Sequence, residues 1–563
     1  MTYMDRYQFW CNANLPETFC QELEAIKDNS EELKSRFGSD LQFGTAGMRG
    51  IMGVGSNRLN KYTVRRAAQG MASWLTSTDL PKKAAIGYDS RHNSQLFAEV
   101  CAVAFAELGI KTYLYDRLAP TPMLSYAVRE LGCGCGIVIS ASHNSGEYNG
   151  VKCYGPDGCQ MTDEPAAIVT EMIGTIPYFV PEKNSFEAYM DQGLIEYIQQ
   201  SVWERYYNTV LAEAIEPDMI RSSGLNIVYT PLCGTGNEPV REVLGRLGVN
   251  IAVVSCQEKP DGDFKTCEYP NPETDAALNE SYKVADNVPC DVILGTDPDC
   301  DRVAIAVPDK NGYRKLSGNE LGCLLMEYIL KARTERHNIP DGAIVVRSIV
   351  SSPLADKIAE KYGVTMKAVL TGFKYIGGEI LELEKNNESE KYIFGFEESC
   401  GYLKGAYARD KDAVVASMLV CEMAAALKKQ GKTILDALSE LYKNYGYYLA
   451  YVKSVELKGS DAMEKAAKIM TDLRESVPQS IGGAKVTVVN DYGSSISKNV
   501  DNGKETIIKL PKSNVLEFIL GNHGSVIVRP SGTEPKVKFY YTAVAETVDQ
   551  SKELLDAMIQ QMS

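Results

Sequence analysis

Two short runs carry residues that could move a phosphate. The first is SASHNSGEYNGVKCYG, residues 140–155, directly after the apolar run CGIVI. A serine becomes a phosphate carrier when an acid/base group and a charge stabiliser stand close by. Ser142 has His143 beside it and Lys152 ten residues on. A plain turn rich in Ser, Asn and Gly is the competing reading. His143 is one of only four histidines, and His92, His337 and His523 read as surface or structural. The second run is GTDPDCDRVAIAV, residues 295–307, with Asp297, Asp299 and Asp301 at alternate positions. At 4 Å and an effective dielectric near 20, each carboxylate repulsion costs about 4 kcal/mol. A hard divalent cation relieves it, and an all-oxygen ligand set suits Mg2+. Arg302 beside such a site implies that an anion also arrives. A solvated acidic turn is the alternative here.

Two further runs could hold the rest of a phosphorylated ligand. In SVIVRPSGTEPKVKFYYTAV, residues 525–544, Arg529, Ser531, Gly532, Thr533 and Lys536 lie between two strand-like segments. Small residues let backbone N–H groups and hydroxyls wrap a phosphate, and Arg529 adds paired donors. A proline-flanked hairpin is the simpler alternative. In GFEESCGY, residues 395–402, Glu397, Glu398 and Ser399 could bind sugar hydroxyls. Arg49, Arg91, Lys374, Arg409 and Lys411 stand in other Gly- or Asp-rich loops. Together they supply the cations that an acidic chain needs to hold a dianion.

Other assignments fail on particular residues. An EF-hand would need glycine where Arg302 stands, glutamate where Pro308 stands, and flanking helices. AALKKQGKT has Ala426 at the first glycine of a P-loop and follows a helix. GTGNEP, residues 234–239, lacks the third glycine of a dinucleotide fingerprint. A phosphatase using Asp297 as nucleophile would want Thr or Val in place of Asp301 and would have no use for Ser142. A non-catalytic sugar-phosphate-binding protein remains a further reading.

These loops need rigid elements behind them. Residues 1–40 read as helical, and strand–helix alternation then begins at KKAAIGYD, LNIVY and NELGCLLMEYILKART. From about residue 446 the texture becomes strand-rich. The expected fold class is α/β. Three similar α/β/α domains with mixed sheets, plus a smaller α+β C-terminal domain, are expected. Expected boundaries are 1–205 (with the helical lead-in 1–40), 206–317, 318–445 and 446–563. Within the third domain, GFKYIGG, residues 372–378, contributes Lys374.

The chain has 563 residues, too many for one core. Its net charge of −15 argues against a nucleic-acid partner. No run of about 18 apolar residues predicts a membrane span, and no basic-then-apolar leader opens the sequence. Fifteen cysteines without CxxC pairs predict free thiols in a reducing compartment, hence the cytoplasm.

In this order and at these separations, the four loops resemble those of the α-D-phosphohexomutase superfamily, and more closely its phosphoglucomutase/phosphopentomutase branch. The resemblance runs from about residue 40 to the end and implies that the four domains are arranged around a central cleft. It implies that Ser142 is the phosphoserine, and that Asp297, Asp299 and Asp301 hold Mg2+ with a phosphoserine oxygen. It places Arg49, His143 and Lys152 near the transferring phosphate, with Lys152 as acid/base at a lowered pKa. Glu397 and Ser399 would select the sugar, and RPSGTEPK would grip the phosphate that is not moving. Arg302, Lys374, Arg409 and Lys411 complete the expected substrate-binding set. Ser145, Pro298 and Cys300 depart from the commoner family residues without removing a ligand. The implied reaction interconverts glucose 1-phosphate and glucose 6-phosphate, with glucose 1,6-bisphosphate as intermediate and activator. Mannose and pentose phosphates are alternative substrates. A monomer or homodimer with sugar phosphates as partners is expected.

Overall fold

Strands that lie between two helical layers must be apolar on both faces. Ala84–Tyr88 and Cys135–Ile139 are accordingly buried at every residue. The computed structural model describes residues 1–44, 47–457, 462–531 and 536–562. Its first sheet contains β1 (Gly47–Ile51), β2 (Lys83–Tyr88), β3 (Lys111–Leu114), β4 (Cys135–Ile139), β5 (Tyr148–Tyr154) and β6 (Ile195–Tyr197), in the order β1-β5-β4-β2-β3-β6. The β4, β2, β3 and β6 neighbours pair parallel, while β5 pairs antiparallel with both β4 and β1.

The second sheet repeats this plan. It contains β7 (Asn226–Thr230), β8 (Asn250–Val253), β9 (Val292–Thr296), β10 (Val303–Asp309) and β11 (Gly312–Lys315), ordered β11-β10-β9-β7-β8. Parallel pairs on one side again give way to an antiparallel hairpin on the other. In both sheets the hairpin begins at the strand whose carboxyl end carries a candidate motif: β4 leads to Ser142, and β9 leads to Asp297. The chemistry therefore sits where open α/β sheets bind ligands.

The chain forms two compact units. One comprises Met1–Ser317, Ile376–Phe394 and Ser399–Lys429; the other comprises Gly318–Tyr375, Gly395–Glu398 and Gln430–Ser563. In the second unit, β12 (Ile344–Ser348) and β13 (Thr365–Val369) pair parallel. The C-terminal region builds a seven-stranded sheet whose central members are Leu516–Ile519, Gly524–Pro530 and Lys536–Ala545, all antiparallel. Ile349, Val350 and Leu370 share a buried cluster with Tyr492, Val515, Ile527 and Tyr540.

Three details of the fold were not evident in the sequence. Residues 148–154 form strand β5, which pairs with β1 through Tyr148–Lys152 and with β4 through Val151–Tyr154. GFKYIGG opens the helix Phe373–Lys385, whose apolar residues Ile376, Ile380 and Leu383 recur at helical spacing and are buried. AKVTVV divides between two sheets: Ala484–Lys485 closes a hairpin with Ser480–Ile481, and Val488–Asp491 joins the large sheet.

Candidate active site

Ser142 lies three residues past β4, buried, with φ 54°. Its Oγ donates to Asp297 Oδ2 at 2.9 Å and lies 3.1 Å from His143 Nδ1. The backbone N–H of Ser142 donates to Ser140 Oγ at 2.8 Å. Arg49, on β1, reaches Asn144 Oδ1 at 3.1 Å across the same turn.

The acidic loop is folded by its own backbone. Asp297 Oδ1 accepts the N–H groups of Asp301 and Arg302 at 3.0 Å each, which turns the loop back on itself. Gly234 packs beneath it: a Cβ there would lie 2.4 Å from the Pro298 Cα. That close approach explains a glycine in GTGNEP that the dinucleotide test had left without a role. Thr121 fixes the middle carboxylate, donating from Oγ1 to Asp299 Oδ2 at 2.9 Å and from its N–H to the Asp299 carbonyl at 2.9 Å. Ligand-type oxygens of Asp297, Asp299 and Asp301 all lie within 4.8 Å of one another.

The lysine of β5 enters this cluster from the side. Lys152 Nζ contacts Asp299 Oδ2 and donates to Asp301 Oδ2 at 3.1 Å. Lys411 Nζ lies 3.3 Å from the same Asp301 oxygen and 3.1 Å from Asp410 Oδ1. Burial disfavours the charged form of all three aspartates. Asp297, crowded by Asp301 and Asp299, is pushed well above the usual carboxylate range. Asp299 and Asp301 fall below it despite burial, because Lys152 serves both and Lys411 and Arg302 add to Asp301. Burial would lower Lys152, but Asp299 and Asp301 outweigh it and hold the ammonium charged. The lowered pKa expected for Lys152 is thus reversed in this arrangement. Burial, with Arg302 and Arg49 nearby, keeps the His143 imidazole neutral well below its ordinary range.

Do these residues fit a cation? Asp299 Oδ1 and Asp301 Oδ1 are buried without a hydrogen-bond partner among the described residues. Two orphaned carboxylate oxygens beside a third carboxylate form the oxygen-only donor set that a hard divalent ion takes. The residues fit Mg2+.

The other expected residues divide. Arg302 contacts Glu273, and its Nε stays 3.9 Å from Asp301 Oδ1. Arg409 is buried and turned inward: its Nη2 donates to Glu384 Oε2 at 2.7 Å and its Nη1 to the Ala408 carbonyl at 3.2 Å. It braces its own loop instead of facing a ligand. In the second unit, Glu397 Oε1 accepts the Gly372 N–H at 2.7 Å, and Lys374 in the adjoining helix lies 5.1 Å from the Tyr375 ring centroid. Arg529 closes the strand Gly524–Pro530, and Ser531 N–H bonds the Lys536 carbonyl at 2.8 Å. Gly532 and Thr533 lie outside the described residues. Ser399 belongs to the first unit, half-buried. Tyr540 was missed. Burial raises its phenol pKa, Glu398 adds to the rise, and Arg529 opposes it. Thr121 was also missed; only a threonine just after a strand-to-helix proline could have signalled it.

Comparison with known proteins fits this geometry. The phosphoglucomutase/phosphomannomutase α/β/α domains I, II and III match residues 40–177, 204–312 and 317–445, and the family's C-terminal domain matches 482–560. The chain belongs to the phosphoglucomutase/phosphomannomutase family and is an enzyme of the phosphohexomutase class, with three α/β/α domains and a C-terminal one. Among its relatives, a Staphylococcus haemolyticus phosphoglucomutase is 37% identical over 522 residues, covering 91% of this chain and 92% of the relative. The Paramecium phosphoglucomutase parafusin, in an open form, superposes with TM-score 0.67 at 15% identity, covering 93% and 94% of the two chains. An Aspergillus fumigatus N-acetylphosphoglucosamine mutase, solved with GlcNAc-6P and magnesium, gives TM-score 0.52 at 15% identity, covering 93% and 95%. Among the described residues no helix is long and apolar enough to cross a membrane.

Proposed function

We propose that this enzyme interconverts glucose 1-phosphate and glucose 6-phosphate through a phosphoserine at Ser142. One observation carries the assignment: the Ser142 Oγ hydrogen-bonds a member of a buried three-aspartate cluster at 2.9 Å. The name shared by the staphylococcal relatives supports glucose as the sugar.

Phosphorylated Ser142 donates its phosphoryl group to the free hydroxyl of the sugar phosphate. The P–Oγ bond breaks as a P–O bond to the sugar forms. His143, 3.1 Å from Oγ, takes the hydroxyl proton and returns it to the serine oxygen, so protons and charge balance. Lys152 and Arg49 place positive charge beside the moving group, the main aid available to a loose phosphoryl transfer. Mg2+ held by Asp297, Asp299, Asp301 and a phosphoserine oxygen would add Lewis-acid stabilisation of the same charge. The bisphosphosugar then turns over and returns its other phosphate to Ser142. Glu397, Lys374, Arg529, Ser531 and Lys536 are the groups that the family resemblance assigns to the sugar and its distal phosphate. Glucose 1,6-bisphosphate is both intermediate and priming phosphate donor.

A coupled assay converting glucose 1-phosphate, run with catalytic glucose 1,6-bisphosphate, tests this. Ser142→Ala should abolish turnover with the fold intact, and retained turnover sinks the assignment.

A further inference from the structure

The turn that presents Ser142 is held from behind by a side chain that touches none of the groups assigned above to substrate. Arg91 follows β2, and its side chain is 0% exposed. Its Nη1 donates to the carbonyls of Ser145 at 2.7 Å and Tyr148 at 3.0 Å. Its Nη2 donates to the carbonyl of Ser142 at 2.7 Å and contacts that of Asn144. Four carbonyls of one turn thus converge on a single planar fork, a task for which a point-charge ammonium is unsuited. Ser142 needs such restraint, because φ 54° is a left-handed conformation that non-glycine residues avoid.

Arg91 is itself fixed on two sides. Asp89 Oδ2 lies 3.3 Å from its Nε, and Asp89 Oδ1 accepts the Arg91 N–H at 3.0 Å and the Ser94 hydroxyl at 2.8 Å. The Phe264 ring, arriving from the segment that carries the second sheet, lies 4.9 Å from the Arg91 Cζ. The segment bearing Phe264 also touches the serine turn directly. A Cβ on Gly146 would stand 2.6 Å from the Gly262 carbonyl oxygen, and Asp263 Oδ1 lies 2.6 Å from His92 Nε2. Phe264 is buried.

We propose that Arg91, braced by Asp89 and Phe264, is a positioning residue for phosphoryl transfer. It holds the Ser142 turn in the conformation that aims Oγ at Asp297. This rests on the reading of Ser142 as phosphate carrier. A misplacement of about 1 Å at a reacting atom costs on the order of 100-fold in rate. Arg91→Lys should therefore lower kcat by about that factor, with KM for glucose 1-phosphate essentially unmoved. Phosphorylation of Ser142 by glucose 1,6-bisphosphate, followed by intact mass, should slow in step. Phe264→Leu should give a smaller loss of the same kind. A merely structural Arg91 would lower the thermal midpoint and the folded fraction while leaving kcat per folded molecule unchanged, and that result overturns the proposal. If Arg91→Lys does not fold, folded Phe264→Leu decides: wild-type kcat and wild-type phosphorylation rate overturn it. Wild-type enzyme that turns over while Ser142 takes up no phosphate removes the serine reading itself, and this proposal with it.

Discussion

The carboxylates of the acidic triplet divide into two roles, although the sequence presents three equivalent residues. Asp297 spends one oxygen folding its own loop and offers the other to Ser142. Asp299 and Asp301 each keep one buried oxygen without a hydrogen-bond partner among the described residues, while the other faces Lys152. The alternate spacing drew attention to the triplet in the sequence, because like charges so close need a counter-charge. Thr121 was not legible, because a lone threonine carries no pattern. Hydrogen bonds from residues behind a metal ligand commonly set affinity or activity by 10- to 100-fold. Thr121→Val should therefore raise the Mg2+ concentration needed for half-maximal activity by about 10-fold or more, with kcat at saturating Mg2+ near wild type. A titration of activity against Mg2+ measures both. An unchanged half-maximal concentration would show that the hydroxyl only fills space.

Among the elements, the parallel strands and long helices were readable from apolar runs. The less legible stretches are those where glycine interrupts a regular element. YNGVKCY belongs to a run rich in Ser, Asn and Gly, and GFKYIGG carries three glycines, yet one is the strand that carries Lys152 and the other opens a helix. Strand pairing, invisible to local propensity, decides the first, and apolar residues at helical spacing beyond the glycines decide the second. The helix Phe373–Lys385 is also pinned near its C-terminal end by charge. Glu384 receives Arg129 Nη2 and Arg409 Nη2 at 2.7 Å each. The hydrogen bond from Arg129, with further help from Arg409, holds the Glu384 pKa down to about 2 from an ordinary 4.5. A depressed carboxylate stabilises the fold above its unfolded pKa, and that stability is lost as pH falls toward the folded value. Glu384→Gln should thus lower the thermal midpoint at pH 7. The gap to wild type should hold down to about pH 5 and narrow between 4.5 and 2. Melts across that range check the sign. A gap that widens on acidification would mean that Glu384 is not the charged partner of the two arginines.

On the scale of the whole molecule, the family's third domain divides between the two compact units, and its first part, Gly318–Tyr375, belongs to the same unit as the C-terminal sheet. Ile349, Val350 and Leu370 from the third lie in one buried cluster with Tyr492, Val515, Ile527 and Tyr540 from the C-terminal sheet. The change of texture near residue 446 showed a change of architecture, but a sequence cannot show which domains share a core. All three tryptophans, Trp10, Trp74 and Trp203, are buried in the other compact unit, within Met1–Ser317. Tryptophan fluorescence therefore reports on one unit only, while calorimetry sees both. Truncating a buried isoleucine to alanine costs about 2–5 kcal/mol, and for a unit of roughly 200 residues each kcal/mol shifts the midpoint by about 2–4 °C. Ile527→Ala should accordingly lower one calorimetric transition by several degrees and leave the tryptophan melt in place. Val350→Ala, on the far side of the shared cluster, should lower the same transition. If the tryptophan melt moved equally in both variants, the chain would unfold as a single cooperative body and the two-unit description would not extend to its stability.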